Sequence, residues 1–111
     1  GSAAMLKSKC AIITGGASGI GLAAVKEFLT EGANVLFVDT NAELGVGIEA
    51  ELRSQYPDLK VHFVRGSVCD SNDCQTVVST AMVELGAIDI LFNNAGIQAC
   101  IQFHMTRRLL P

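Results

Sequence analysis

The stretch Thr14-Gly15-Gly16-Ala17-Ser18-Gly19-Ile20-Gly21 follows the apolar run Cys10-Ala11-Ile12-Ile13 and opens a helical pattern. An apolar run, a glycine-rich turn and helix periodicity, in that order, are the layout of a strand, a phosphate-cradling loop and a helix N-terminus. Gly15 can take backbone angles closed to other residues. Gly19 lets the main chain approach a pyrophosphate with no Cβ in the way, and Gly21 lets the new helix pack close to the first strand. The unpaired N–H groups of a helix beginning near Gly19 point at the anion. A P-loop would need Gly-Lys-Ser/Thr at the helix start, whereas Gly21 is followed by Leu22 and Ala23, so that motif is excluded. The segment reads as a dinucleotide-binding turn.

Beyond the loop the periodicity alternates. Ile20, Ala24 and Phe28, with Val25 and Leu29, form an apolar stripe that Gly32 ends. Val35-Leu36-Phe37-Val38 is a continuous apolar run, the mark of a strand buried on both faces, and it stops at Asp39. Thr40-Asn41-Ala42-Glu43 fits a capping box for a second helix with Leu44, Ile48 and Leu52 on one face. Gly45 and Gly47 are expected to weaken that helix by about 1 kcal/mol each relative to Ala. Tyr56-Pro57-Asp58 is a turn, Val61 to Val64 a third strand, and Ser71-Asn72-Asp73 the start of a helix carrying Val77, Val78, Ala81, Met82 and Leu85 up to Gly86. Ile88 to Phe92 read as a fourth strand, followed by Asn93-Asn94-Ala95-Gly96.

Strand–helix alternation of this kind implies an α/β fold, a parallel sheet with right-handed crossovers and helices on both faces. In such sheets the ligand lies beyond the carboxyl ends of the strands. The glycine loop, Asp39, Gly66-Ser67-Val68 and Asn93 to Gly96 all fall at those ends. Asp39 comes 18 residues after Gly21, where a carboxylate can accept hydrogen bonds from both hydroxyls of an adenosine ribose. The same charge repels a 2′-phosphate, and Thr40-Asn41-Ala42 offers no cation to neutralise one. NAD is therefore expected over NADP. The plain alternative is that Asp39 only helps cap the next helix.

The 111 residues suffice for one small domain. Gly1 to Ala4 read as an expression remnant before a natural start at Met5, residues 5–97 as the NAD-binding domain, and 98–111 as a terminal tail. A net charge of −3 with 5% aromatics argues against nucleic acid or an anionic membrane as partner. No apolar run reaches the roughly 20 residues that span a bilayer, so a soluble, cytoplasmic protein is expected. Cys10, Cys69, Cys74 and Cys100 lack C-x-x-C spacing and read as reduced thiols in or near the core. With His62 and His104 as the only histidines, the residues argue against zinc.

Thr14-Gly15-x-x-x-Gly19-Ile20-Gly21, an acidic residue ending the second strand, and Asn93-Asn94-Ala95-Gly96 together resemble the short-chain dehydrogenase/reductase family, from about Leu6 to Ile97. The resemblance implies a Rossmann-like doubly wound sheet, here about four strands in the order 3-2-1-4 with three helices. It implies that Thr14 to Gly21, with Gly15, Ser18, Gly19, Ile20 and Gly21 among them, bind the pyrophosphate side of the cofactor, that Asp39 holds the adenine ribose, and that Asn94, Ala95 and Gly96 stabilise the fourth strand and line the adenosine half. Many members place Asp-Val near the adenine where this chain has Ser67-Val68; a hydroxyl retains one hydrogen bond there.

The family's proton relay, a Tyr with a Lys four residues later assisted by Ser and Asn, belongs to the later half of the fold and is absent before Pro111. Tyr56 and Lys60 have the spacing, but Pro57 breaks the helix such a pair needs and the segment precedes the Asn-Asn-Ala-Gly motif. In the 3-2-1-4 order the fourth strand is an open edge, so self-association or a partner chain covering it is expected, or marginal stability. Three functions follow: the cofactor-binding half of an NAD-dependent oxidoreductase, inactive alone; a non-catalytic interaction or regulatory protein that pairs with a full-length relative; and an enzyme completed by a second chain.

Overall fold

Five consecutive buried residues, Cys10–Thr14, form the strand β1, the interior rail of the molecule. It is followed by α1 (Gly19–Thr30), β2 (Asn34–Asp39), α2 (Ala42–Gln55), β3 (Val61–Arg65), α3 (Ser71–Glu84) and β4 (Ile90–Phe92). The computed structural model describes residues 4–67 and 70–94. Val68, Ala95 and Gly96, with Cys69, Cys100, His104 and the tail 98–111, lie outside the described residues.

All strand pairs are parallel and the sheet order is β3-β2-β1-β4, the expected 3-2-1-4. Alternate residues of each strand feed two separate cores. On one face Ile12, Leu36 and Val38 meet Cys74, Val77, Val78, Ala81 and Leu85 of α3 and its C-cap. On the other Ile13, Val35 and Phe37 meet Val25 and Leu29 of α1 and Leu52 of α2. Fully burying side chains of this size contributes roughly 1.5–3 kcal/mol each relative to exposure. Cys10 and Cys74 are buried in the core, as expected. Gly32 and Gly86, both at positive φ, follow the C-caps of α1 and α3.

Several local expectations are corrected. The cap of α2 is Asn41, one residue beyond Thr40: its Oδ1 accepts the Leu44 N–H at 3.0 Å. Of the expected α2 face only Leu52 is buried; Ile48 is partly covered and Leu44 is exposed. Ile20 likewise leaves the α1 stripe, 71% exposed at the tip of the helix. Gly45 is no simple weakness of α2, since a Cβ there would collide with the Phe63 ring, whereas a Cβ on Gly47 meets nothing within 4 Å. The fourth strand begins at Ile90, with Ala87 and Ile88 packed on the α3 core ahead of it.

Edge strand β3 is covered by side chains of α2. Glu49 Oε2 accepts the Phe63 N–H at 2.6 Å and Arg53 Nε donates to the Val61 carbonyl at 2.7 Å. An arginine can only donate, so the 3.0 Å contact of Arg53 Nη2 with His62 makes Nδ1 an acceptor and assigns the ring proton to Nε2, which faces Glu84 of α3 at 3.5 Å. This clasp runs around the edge from α2 on one face to α3 on the other. It occupies backbone groups that would otherwise template another strand.

Candidate functional site

The candidate site lies at the carboxyl ends of the strands, where β1 turns into α1. Gly15 at φ 64° and Gly19 at φ 55° hold the left-handed angles that a turn this tight demands and that side chains resist. Gly21 is required for another reason: a Cβ there would collide with the Gly15 carbonyl and sit 3.2 Å from Asn94 Nδ2. Its smallness therefore serves the loop and the Asn94 amide, where the sequence suggests packing against β1. Gly16, unassigned from sequence, lies against Phe37, whose Cβ would be 2.6 Å from an added methyl. The loop is thus seated directly on β2. A Cβ at Gly19 would meet nothing within 4 Å, so the outer side of the turn is open.

The three described helices begin in electrostatically different ways. α2 is capped by Asn41 and carries Glu43 in its first turn; α3 is capped by Asp70, whose carboxylate accepts from Asn72 and Asp73 N–H groups, and carries Asp73. At α1 the N-cap Ser18 makes no side-chain capping bond and the first turn holds no acid. A helix start places about half a positive charge and unpaired N–H donors at its tip. Only α1 among the described helices leaves both uncompensated by its own side chains, and Ser18, Gly19 and Ile20 are all exposed there.

Asp39 ends β2 beside the loop. Its Oδ2 accepts the Ala17 N–H at 3.1 Å and its Oδ1 accepts the Asn41 N–H at 3.0 Å. It does not cap α2, since Asn41 does. The Gly16 N–H donates to the Val38 carbonyl at 3.1 Å and the Gly66 N–H to the Asp39 carbonyl at 3.1 Å, so the β2 end joins the glycine loop to the β3–α3 connection. There Ser67 donates its N–H to Asp73 Oδ2 at 2.6 Å. Asp73 is a participant that sequence periodicity registers only as a first-turn acid.

On the opposite side, the fully buried Thr14 joins β1 to the Asn-Asn segment. Its hydroxyl accepts the Asn94 N–H at 2.8 Å and donates to Asn93 Oδ1 at 3.2 Å. Asn94 Nδ2 would be 3.0 Å from a Cβ on Gly15, which brings Asn94, Gly15 and Gly21 together. Asp39 and Ser67 gather on the β2–β3 side, and Ser18, Gly19 and Ile20 stand between at the α1 tip. Val68, Ala95 and Gly96 complete the expected set outside the described residues. Tyr56 lies elsewhere: its hydroxyl is 3.0 Å from Thr30 Oγ1 at the end of α1, and the Lys60 N–H donates to Asn34 Oδ1 at the start of β2. Among the described residues no cluster of His, Cys, Asp and Glu could hold a metal ion, and no helix is long and apolar enough to cross a membrane.

Known proteins resemble this chain in sequence and in fold. A 3alpha-hydroxysteroid dehydrogenase of Mediterraneibacter gnavus is 39% identical over 100 residues, which cover 90% of this chain and 40% of that protein. The crystal structure of L-sorbose reductase from Gluconobacter frateurii, complexed with NADPH and L-sorbose, superposes with a TM-score of 0.76 at 33% identity, covering 82% of this chain and 34% of that one. A hydroxysteroid dehydrogenase from Escherichia coli gives the same TM-score at 34% identity, over 84% of this chain and 39% of its own. The chain thus spans two fifths or less of the length of these relatives. The short chain dehydrogenase family profile matches residues 9–109, and with the parallel sheet, the glycine turn and the Thr14–Asn94 link in place, the chain belongs to the short-chain dehydrogenase family.

Proposed function

We propose that these residues form the NAD-binding portion of a short-chain dehydrogenase/reductase whose family activity is hydride transfer between NAD(H) and an alcohol or carbonyl substrate. The observation that carries the reading is the α1 tip, a helix start left without a side-chain cap or a first-turn acid behind an open glycine turn. Such a tip accepts a pyrophosphate without a cation. Asp39 accepts the adenosine ribose hydroxyls, each carboxylate oxygen having a lone pair beyond the backbone bond it already receives. Ser67 borders the adenine, and Asn94 steadies the turn from the β4 side. NAD, when bound, supplies the hydride acceptor. These 111 residues hold no Tyr-x-x-x-Lys after Asn94, so they bind and orient the cofactor while proton transfer needs residues they do not contain.

NAD is preferred over NADP, because a 2′-phosphate would meet the Asp39 carboxylate with no Lys or Arg in Thr40-Asn41-Ala42 to offset it, the cation set opposite Asp39 in the β2–β3 register being Arg65. The NADPH seen with L-sorbose reductase belongs to that protein, and the preference here rests on Asp39. Repulsion of about 1–4 kcal/mol at contact distance makes NADP weaker by roughly fivefold to several hundredfold. Calorimetric titration with NAD, NADP and ADP-ribose tests this: weak NAD binding with weaker NADP is expected. Equal affinity for NAD and NADP overturns the preference. Failure of all three nucleotides to bind overturns the cofactor reading and leaves the interaction protein in its place.

A further inference from the structure

We propose that Asp39 is the positioning residue of the glycine-rich loop, holding it in its anion-receiving shape before any ligand arrives. This rests on the dinucleotide reading of the site. Two observations carry it. Asp39 Oδ2 accepts the Ala17 N–H, in the middle of the turn, and Oδ1 accepts the Asn41 N–H, so one carboxylate ties the loop to the start of the β2–α2 connection. Packing holds the inner side of the turn, where Ala17 is buried and Gly16 lies against Phe37, but it does not direct the outward N–H groups: Ser18 makes no capping bond, Gly15 and Gly19 flank the turn with the most permissive residue type, and a Cβ on Gly19 would meet open space. Gly16 N–H bonded to Val38 anchors the loop one residue earlier, and Asp39 carries the anchoring on to Ala17, the last residue before the helix cap.

The consequence runs against simple electrostatics. Removing a carboxylate beside an anion site should strengthen anion binding. If Asp39 positions the loop, its removal weakens binding even of an anion that has no ribose to contact it, because the donors of Ser18, Gly19 and Ile20 lose their fixed direction.

The experiment uses the chain with Asp39→Ala and Asp39→Asn. Amide exchange at Ala17 in the free protein is expected to speed up about tenfold or more in Asp39→Ala, the effect of losing a bond to a charged acceptor, with Gly16 still protected by Val38. Asp39→Asn keeps one acceptor oxygen and restores part of the protection. Inorganic pyrophosphate is expected to bind about tenfold more weakly to Asp39→Ala. Unchanged Ala17 exchange in both variants, or pyrophosphate bound as tightly or more tightly by Asp39→Ala, overturns the proposal. If the wild type protects Ala17 through Asp39 but binds no pyrophosphate, the positioning contact stands and the dinucleotide reading falls.

Discussion

The hydroxyl of Thr14 accepts the Asn94 N–H at 2.8 Å, joining residues 80 positions apart. Thr14 is the last residue of β1 and Asn94 follows β4, so one fully buried oxygen sets how the two strand ends meet beneath the glycine turn. Thr14→Val keeps the volume and removes the acceptor, leaving the Asn94 N–H without it. Urea unfolding is expected to show a loss of about 1–3 kcal/mol for Thr14→Val and a much smaller one for Thr14→Ser, which retains the hydroxyl.

The two glycines of α2 should respond to alanine with opposite signs. Gly47→Ala adds a methyl into open space in a helix interior and is expected to stabilise by roughly 0.5–1 kcal/mol. Gly45→Ala drives a methyl into the Phe63 ring, which is packed against Phe37 at 5.2 Å between centroids. A loss of about 1–3 kcal/mol is expected there. Thermal unfolding of the two variants side by side checks both signs.

Removing the β3 clasp should turn that strand into an association edge. In the Glu49→Ala, Arg53→Ala double variant the Phe63 N–H and the Val61 carbonyl lose their side-chain partners and remain in a strand with no neighbouring strand on that side among the described residues. Sedimentation velocity is expected to show concentration-dependent self-association beyond that of the wild type. Arg53 is half exposed, so its ion pair with Glu49 contributes little to stability and the effect is one of protected backbone groups.

Tyr56→Phe separates the remote tyrosine from the nucleotide site. Loss of its contact with Thr30 Oγ1 should cost about 0.5–1.5 kcal/mol at most, being exposed, while the affinity for NAD stays unchanged.

The element order, the buried β2 and the gathering of Gly15, Asp39 and Asn94 at the strand ends were legible because each depends on periodicity or on where a run stops. What periodicity does not encode is which side chain lies opposite which backbone. Gly16 is small because Phe37 sits beside it, and Gly45 because Phe63 does, though neither ring is near its glycine in the chain. Asp39 was legible as an acid at a strand end, yet its bond to Ala17, 22 positions earlier, follows only from the parallel register of β1 and β2. The α2 cap at Asn41 is by contrast a local matter, Asn41 Oδ1 taking the Leu44 N–H three residues on.

The interior position of β1 makes the glycine turn a thermodynamic reporter of both halves of the protein. Ile12 is packed with α3 on one face and Ile13 with α1 and α2 on the other, and the next residue after them, Thr14, leads directly into the loop. An anion that binds the folded loop and not the unfolded chain raises the melting temperature of the whole by mass action. A substitution deep in either core, such as Ile12→Val or Ile13→Val, should therefore lower the melting temperature with and without anion alike, because the increment the anion adds is set by its concentration and its affinity for the loop, which neither side chain touches.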